Sequence, residues 1–98
     1  MIIEEGQSEI ELPEPIEGGY SHFGVYSAGD PEQNPHSYLF HVVLVPPLEI
    51  LTMSEESKNL RGIPRIYAII GGDKLMMWPA SDRKTVGRLE YMPAPKVI

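Results

Sequence analysis

The chain reads as a mainly β protein, a small antiparallel sandwich or barrel of about six short strands with one short helix and an extended N-terminal arm. Ten prolines and nine glycines among 98 residues exclude long helices and suit short strands joined by frequent turns. The segment PRIYAIIGGDKLMMWP, Pro64 to Pro79, places two alternating apolar runs around a diglycine. That is a hairpin pattern, with Gly71, Gly72 and Asp73 supplying the positive φ angles of a tight two-residue turn. The run SYLFHVVLV, Ser37 to Val45, is rich in β-branched and aromatic residues and predicts a central strand buried on both faces.

Taken in order, residues 1–19 form an acidic, Pro- and Gly-rich arm, and residues 20–98 a single β domain. Within the arm, Ser8 to Leu12 alternates Ile10 and Leu12 against Glu9 and Glu11, a short edge strand that docks on the body or on a neighbour. Pro13 and Pro15 exclude a helix there, and Gly18 and Gly19 mark a flexible joint. Tyr20 to Ala28 is the next strand, weakened by Gly24. Gly29 to Pro35 is a loop on turn chemistry.

Pro46 and Pro47 end the central run, and Leu48 to Met53 offers a further strand. SEESKNLRG carries the one helix signal: Ser54 as N-cap, Glu55 and Glu56 at the positive end, Lys58 and Arg61 at the negative end, Gly62 as C-cap. In the hairpin, Ile66, Ala68 and Ile70 face one way and Arg65, Tyr67 and Ile69 the other, while the returning strand sets Leu75 and Met77 against Lys74, Met76 and Trp78. Arg83 to Met92 is the last strand, with Thr85, Gly87, Leu89 and Tyr91 on one face. PAPKVI then leaves as an extended tail.

The chain has no cysteine, so disulfides, thiolate nucleophiles and cysteine-bound zinc are excluded. Two acids stand in MIIEEGQSEI where a secretory leader wants bases, and no apolar run approaches the ~18 residues of a membrane span, so a soluble, unprocessed chain is expected. Asp30, Glu32 and Asn34 alternate as calcium ligands do, but Pro35 and His41 occupy the places of the loop glycine and the bidentate glutamate. His41 has no second histidine or acid at ligand spacing and is expected as a hydrogen-bonded sheet or core histidine. No nucleophile elbow, phosphate loop or histidine pair is present. The expectation is no catalytic residue, no metal, no cofactor and no enzyme.

Charge is divided along the chain. Residues 1–57 hold eleven acids and no lysine or arginine, whereas residues 58–98 hold all eight bases against three acids. Either the two parts neutralise each other locally within one sheet, or the acidic part meets a basic face on another subunit. The interface candidates are therefore Glu9, Glu11, Glu14 and Glu17 on one side and Arg83, Lys84 and Arg88 on the other, with Tyr67, Trp78 and Tyr91 as aromatic anchors where exposed. Arg61, Arg65 and Lys96 extend the basic set, but the acidic total argues against sequence-specific or generic nucleic-acid binding.

From Pro64 onward the residues Pro64, Arg65, Tyr67, Leu75, Pro79, Val86, Leu89, Tyr91 and Pro95 follow an order that resembles the β segment of tailed-phage head-to-tail adaptor proteins. Ala80 and Ser81 depart from that pattern, as does Met92, and the long adaptor helices have no counterpart. The resemblance covers about 35 residues. It implies a minor virion, neck or decoration protein that acts through contacts with other virion proteins and homo-oligomerises head to tail, located in the virion and in the host cytoplasm during assembly. Leu39 to Pro46 and Trp78 to Ser81 are similar to phage anti-Thoeris proteins that capture signal nucleotides. That similarity implies, as the alternative, a small-molecule binding protein countering host defence; the basic N-terminal segment of that family is replaced here by the acidic arm.

Overall fold

The computed structural model describes residues 1–16 and 21–91. The protein is mainly β, with nine strand segments and two short helices among those residues. Glu17, the Gly18–Gly19 joint and the PAPKVI tail lie outside the described residues.

Seven strands form one curled, half-barrel sheet: β1 (Ile2–Ile3), β2 (Glu9–Glu11), β3 (His22–Tyr26), β4 (Leu39–Leu44), β6 (Ile66–Ile70), β7 (Lys74–Trp78) and β9 (Thr85–Glu90), in the order β1-β9-β3-β4-β6-β7-β2. A separate parallel pair joins β5 (Arg61–Gly62) to β8 (Ala80–Ser81). The hairpin of β6 and β7 falls where the alternation put it, with Ile66 opposite Trp78 and Ile70 opposite Lys74. Its turn holds three residues rather than two. Gly71 and Gly72 adopt φ of 63° and 80°, which a side chain with a Cβ resists.

The arm is part of the sheet. Ile2 and Ile3 pair with Val86 and Thr85 of β9, and Glu9 to Glu11 pair with Met76 to Lys74 of β7. Between them the amide of Gly6 donates to the Ser81 carbonyl at 2.7 Å and the amide of Ser81 to the Gln7 carbonyl at 3.2 Å. The arm therefore runs antiparallel to the continuous stretch β7-β8-β9 and joins the two outer strands of the five-stranded sheet β9-β3-β4-β6-β7. Ile3 and Ile10 enter the core by this route: Ile3 is fully buried, and its Cδ1 lies so close to Gly87 that a Cβ there would approach to 2.8 Å.

The core fills the concave face. Ile3, Leu12, Ile16, Phe23, Val25, Val42, Tyr67, Leu75 and Met77 form one cluster, and Leu89 and Tyr91 pack against it. These residues come from the faces that alternation assigned to Leu75 and Met77, to Tyr67, and to Leu89 and Tyr91.

Several expectations are corrected. Leu48 to Met53 is no strand: Pro47 begins a helix, α1 (Pro47–Leu51), because proline at the first helical turn gives up no hydrogen bond and presets φ. The expected helix after Ser54 is α2 (Glu55–Lys58), with the Ser54 hydroxyl accepting from the Ser57 amide at 3.2 Å; it ends at Asn59 and not at Gly62, which is drawn into β5. There are thus two short helices instead of one, and nine strand segments instead of about six. The sheet is not wholly antiparallel, since α1, α2 and β5 form a crossover that brings β6 back parallel to β4, with Val43 opposite Ile66 and Leu44 opposite Tyr67. A sandwich needs a second sheet over the first; here one sheet curls upon itself, so β4 is central but only Val42 is buried along it, and Val43 and His41 face outward.

Because the arm supplies core residues, Ile3→Ala should destabilise the protein by about 2–4 kcal/mol in urea unfolding with little change in m-value. A loss below about 0.5 kcal/mol would show that the arm's first strand does not pack as described.

Candidate functional site

The expected interface residues do not gather on one face. Glu9 and Glu11 lie exposed on β2, where charged side chains guard a sheet edge against unwanted pairing. Glu9 stands 3.7 Å from the Lys74 ammonium, Glu4 3.9 Å from Lys84, and Glu5 3.7 Å from Arg61. Acids of the first part of the chain thus meet bases of the second within one molecule. Each such exposed pair is worth only ~0–1 kcal/mol and weakens with salt. Arg88 pairs with Glu90 at 2.8 Å, and Arg83 with the adjacent Asp82 at 2.8 Å. The hydrogen bonds from Arg83 hold the Asp82 carboxyl below its ordinary range, and Asp82 in return raises Arg83.

The three aromatic candidates have three different fates. Tyr67 is core, 1% exposed, with its ring edge-on to Phe23 at 5.4 Å. Its Oη donates to the Ser21 carbonyl at 3.0 Å and lies 2.8 Å from the Ser21 hydroxyl. Burial pushes the phenol above its ordinary value, opposed by the Ser21 hydrogen bond. Tyr91 is half-buried and donates to Glu14 at 3.2 Å; desolvation, then the Glu14 carboxylate, raises its phenol. Trp78 is half-buried, and its Nε1 donates to the Ser57 carbonyl at 2.7 Å, which ties the end of β7 to α2.

What the fold does assemble is a cleft of about 450 Å³ between the small β5/β8 sheet and the start of the β6–β7 hairpin. Arg61, Arg65 and Arg83 line it with Trp78, Pro79 and Ile63, and Asp82 is its one acid. Each wall is fixed by backbone. Arg61 sits opposite Ala80 in the parallel pair, the Asp82 amide donates to the Gly62 carbonyl at 3.1 Å, and Gly62 passes so close to Pro79 that a Cβ would meet its Cγ at 3.3 Å. Arg65 is locked between two strands, its amide donating to Trp78 at 2.8 Å and its carbonyl accepting from Val43 at 2.9 Å. The sequence puts Arg61, Arg65 and Arg83 in one basic set with Lys84, Arg88 and Lys96; which of them share a cleft depends on the crossover, which no local pattern announces.

A shallower trough on the outer face of β3, β4 and β9 is lined by His22, Leu39, His41, Arg88 and Glu90. It exists because Gly24 lets the Leu39 side chain lie across β3; a Cβ at Gly24 would approach it to 2.7 Å. Searches against protein-family models, curated proteins and solved structures return no significant match to this chain. Among the described residues no group of three or more histidine, cysteine or acidic side chains is placed to hold a metal ion, and no helix is long and apolar enough to cross a membrane. The loop oxygens considered for calcium are engaged locally, Asp30 accepting from the Glu32 amide at 2.9 Å and Asn34 from the His36 amide at 3.0 Å.

Tyr67→Phe removes both contacts with Ser21 and should cost about 1–3 kcal/mol at neutral pH. A phenol whose folded pKa is raised stabilises the fold fully below the unfolded value near 10, and that contribution is lost as pH climbs from there through the folded value. Stability of the parent should therefore fall more steeply above about pH 10 than that of Tyr67→Phe, so that the two denaturation midpoints converge at alkaline pH. Parallel curves would show that the phenol titrates unperturbed.

Proposed function

We propose that this protein is a structural component of a phage particle, a minor virion, neck or decoration protein that works through protein–protein contacts and self-associates head to tail. The observation that carries the reading is a set of aliphatic side chains left in solvent on the convex side: Val43 on the central strand, 60% exposed, and Leu48 and Leu51 on α1, 68% and 45% exposed. Leu48 and Leu51 are one helical turn apart and share a side of α1, while Ile50 is the residue that α1 buries. Large aliphatics left exposed on a central strand and on the helix that follows it are the kind of side chains that another protein covers. The resemblance of Pro64 to Ile98 to the adaptor β segment supplies the virion context and the expected location, with other virion proteins as partners and no catalytic step. Glu49 lies beside Leu48 on α1, so a two-fold contact there would oppose like charges, whereas an offset contact lets Glu49 meet a base of the next copy.

Light scattering over a concentration series tests this directly. Mass should rise with concentration at low salt, and Leu48→Ser/Leu51→Ser should shift the assembly midpoint upward by about tenfold or more while leaving the melting temperature near that of the parent. A parent that stays monomeric at high concentration, or a double variant that assembles equally well, would exclude self-association through this face.

A further inference from the structure

We propose that the cleft between the β5/β8 pair and the β6–β7 hairpin binds a small organic anion, a phosphomonoester or carboxylate carrying a flat ring, with the oxyanion on Arg65 and Arg61 and the ring against Trp78. This goes beyond the assembly reading and does not depend on it. Arg61, Arg65 and Arg83 line a space whose lining holds a single acid, Asp82, on a chain of formal net charge −6. Asp82 is spent on Arg83, which also donates to the Ser27 carbonyl at 3.3 Å. Arg65 takes part in none of the five ion pairs among the described residues. Arg61 meets Glu5 only at 3.7 Å, and its guanidinium lies over Gly6, where φ is +82° and a Cβ would come within 3.2 Å of Nη2. Arg65 is thereby left on the cleft with no ion pair among the described residues, and Arg61 with one long, exposed pair.

The remaining lining is apolar. Leu60, Ile63, Pro79 and the indole of Trp78 complete the walls, and the bond from Nε1 to the Ser57 carbonyl fixes the indole's orientation. Guanidinium forks suit the oxygens of phosphate and carboxylate, and an indole of fixed orientation offers a face or edge to a planar ring at little entropic cost. The volume lies in the range of small-ligand sites. An anion with no apolar body would leave the walls uncovered, and a neutral ring would leave the charges uncompensated.

Trp78 is the protein's single tryptophan, so its fluorescence responds to binding beside it, and the arginine variants tie the response to the cleft. The probes are phenyl phosphate, benzoate, inorganic phosphate and phenol, titrated at constant ionic strength against the full chain. Phenyl phosphate or benzoate should give a saturable change, at least about tenfold tighter than inorganic phosphate or phenol. Arg65→Gln and Arg61→Gln should each weaken that binding about tenfold or more, and Lys84→Gln, outside the cleft, should not. Thermal melting of each variant in the absence of probe confirms its fold. No saturable response to either aromatic anion, equal affinity for inorganic phosphate, or unchanged binding in a folded Arg65→Gln protein would overturn the proposal.

Discussion

The antiparallel pairing of the first twelve residues with the stretch from Asp73 to Gly87 is the interaction on which the rest of this structure depends. It begins with the Met1 ammonium donating to the Gly87 carbonyl at 2.9 Å and ends with the Leu12 amide donating to Asp73 at 2.8 Å. Without it β7 and β9 would be the bare edges of a five-stranded sheet, and the concave face would lose Ile3, Ile10 and Leu12 from its packing. The two strands do not run in step: from Ile3 to Glu9 the arm takes six residues, while its partner takes nine from Met76 to Thr85. The surplus sits around Pro79 to Lys84. That segment contains β8 and forms one wall of the arginine cleft. One wall of the cleft thus follows from a mismatch in length, and the crossover supplies the other.

The same pairing redistributes charge. The eleven acids of the first 57 residues and the eight bases of the last 41 are separated in sequence, but the arm lies against the basic part and brings Glu4, Glu5 and Glu9 beside Lys84, Arg61 and Lys74. Most of this is solvated and contributes little to stability. Its effect is on placement: bases drawn to the arm leave Arg65 as the cation of the cleft with no ion pair among the described residues, and the aliphatic patch on β4 and α1 lies apart from the cleft lining.

Sequence patterns revealed the parts of the fold that depend on near neighbours. The hairpin of β6 and β7, the strand character of residues 22–26, 39–44 and 85–90, the inward face of β9 and the Ser54 cap all follow from alternation, turn residues and capping chemistry. What stayed hidden depends on distant pairing. Leu48 to Leu51 reads as strand by composition but follows a proline that suits a helix start, and its burial is decided by β6 rather than by its own pattern. The exposure of Val43 could not be read from SYLFHVVLV, because an apolar run looks the same whether one or both faces are covered. Tyr67 and Trp78 were equally plausible anchors in sequence. Ser21, 46 residues away, satisfies the hydroxyl of the buried Tyr67, and Ser57, 21 residues away, fixes the indole of Trp78.

Hydrogen exchange of individual backbone amides tests the central role of the arm most directly. The amides of Gly87, Met77 and Leu12 donate to Met1, Ser8 and Asp73, bonds that exist only while the arm is docked. If the arm closes the sheet as an integral strand, these three should exchange about as slowly as the central amides of Tyr67 and Ala68, opening only with global unfolding. Exchange of the three at rates orders of magnitude faster, with Tyr67 and Ala68 still protected, would contradict the account and leave a five-stranded sheet that folds without its arm.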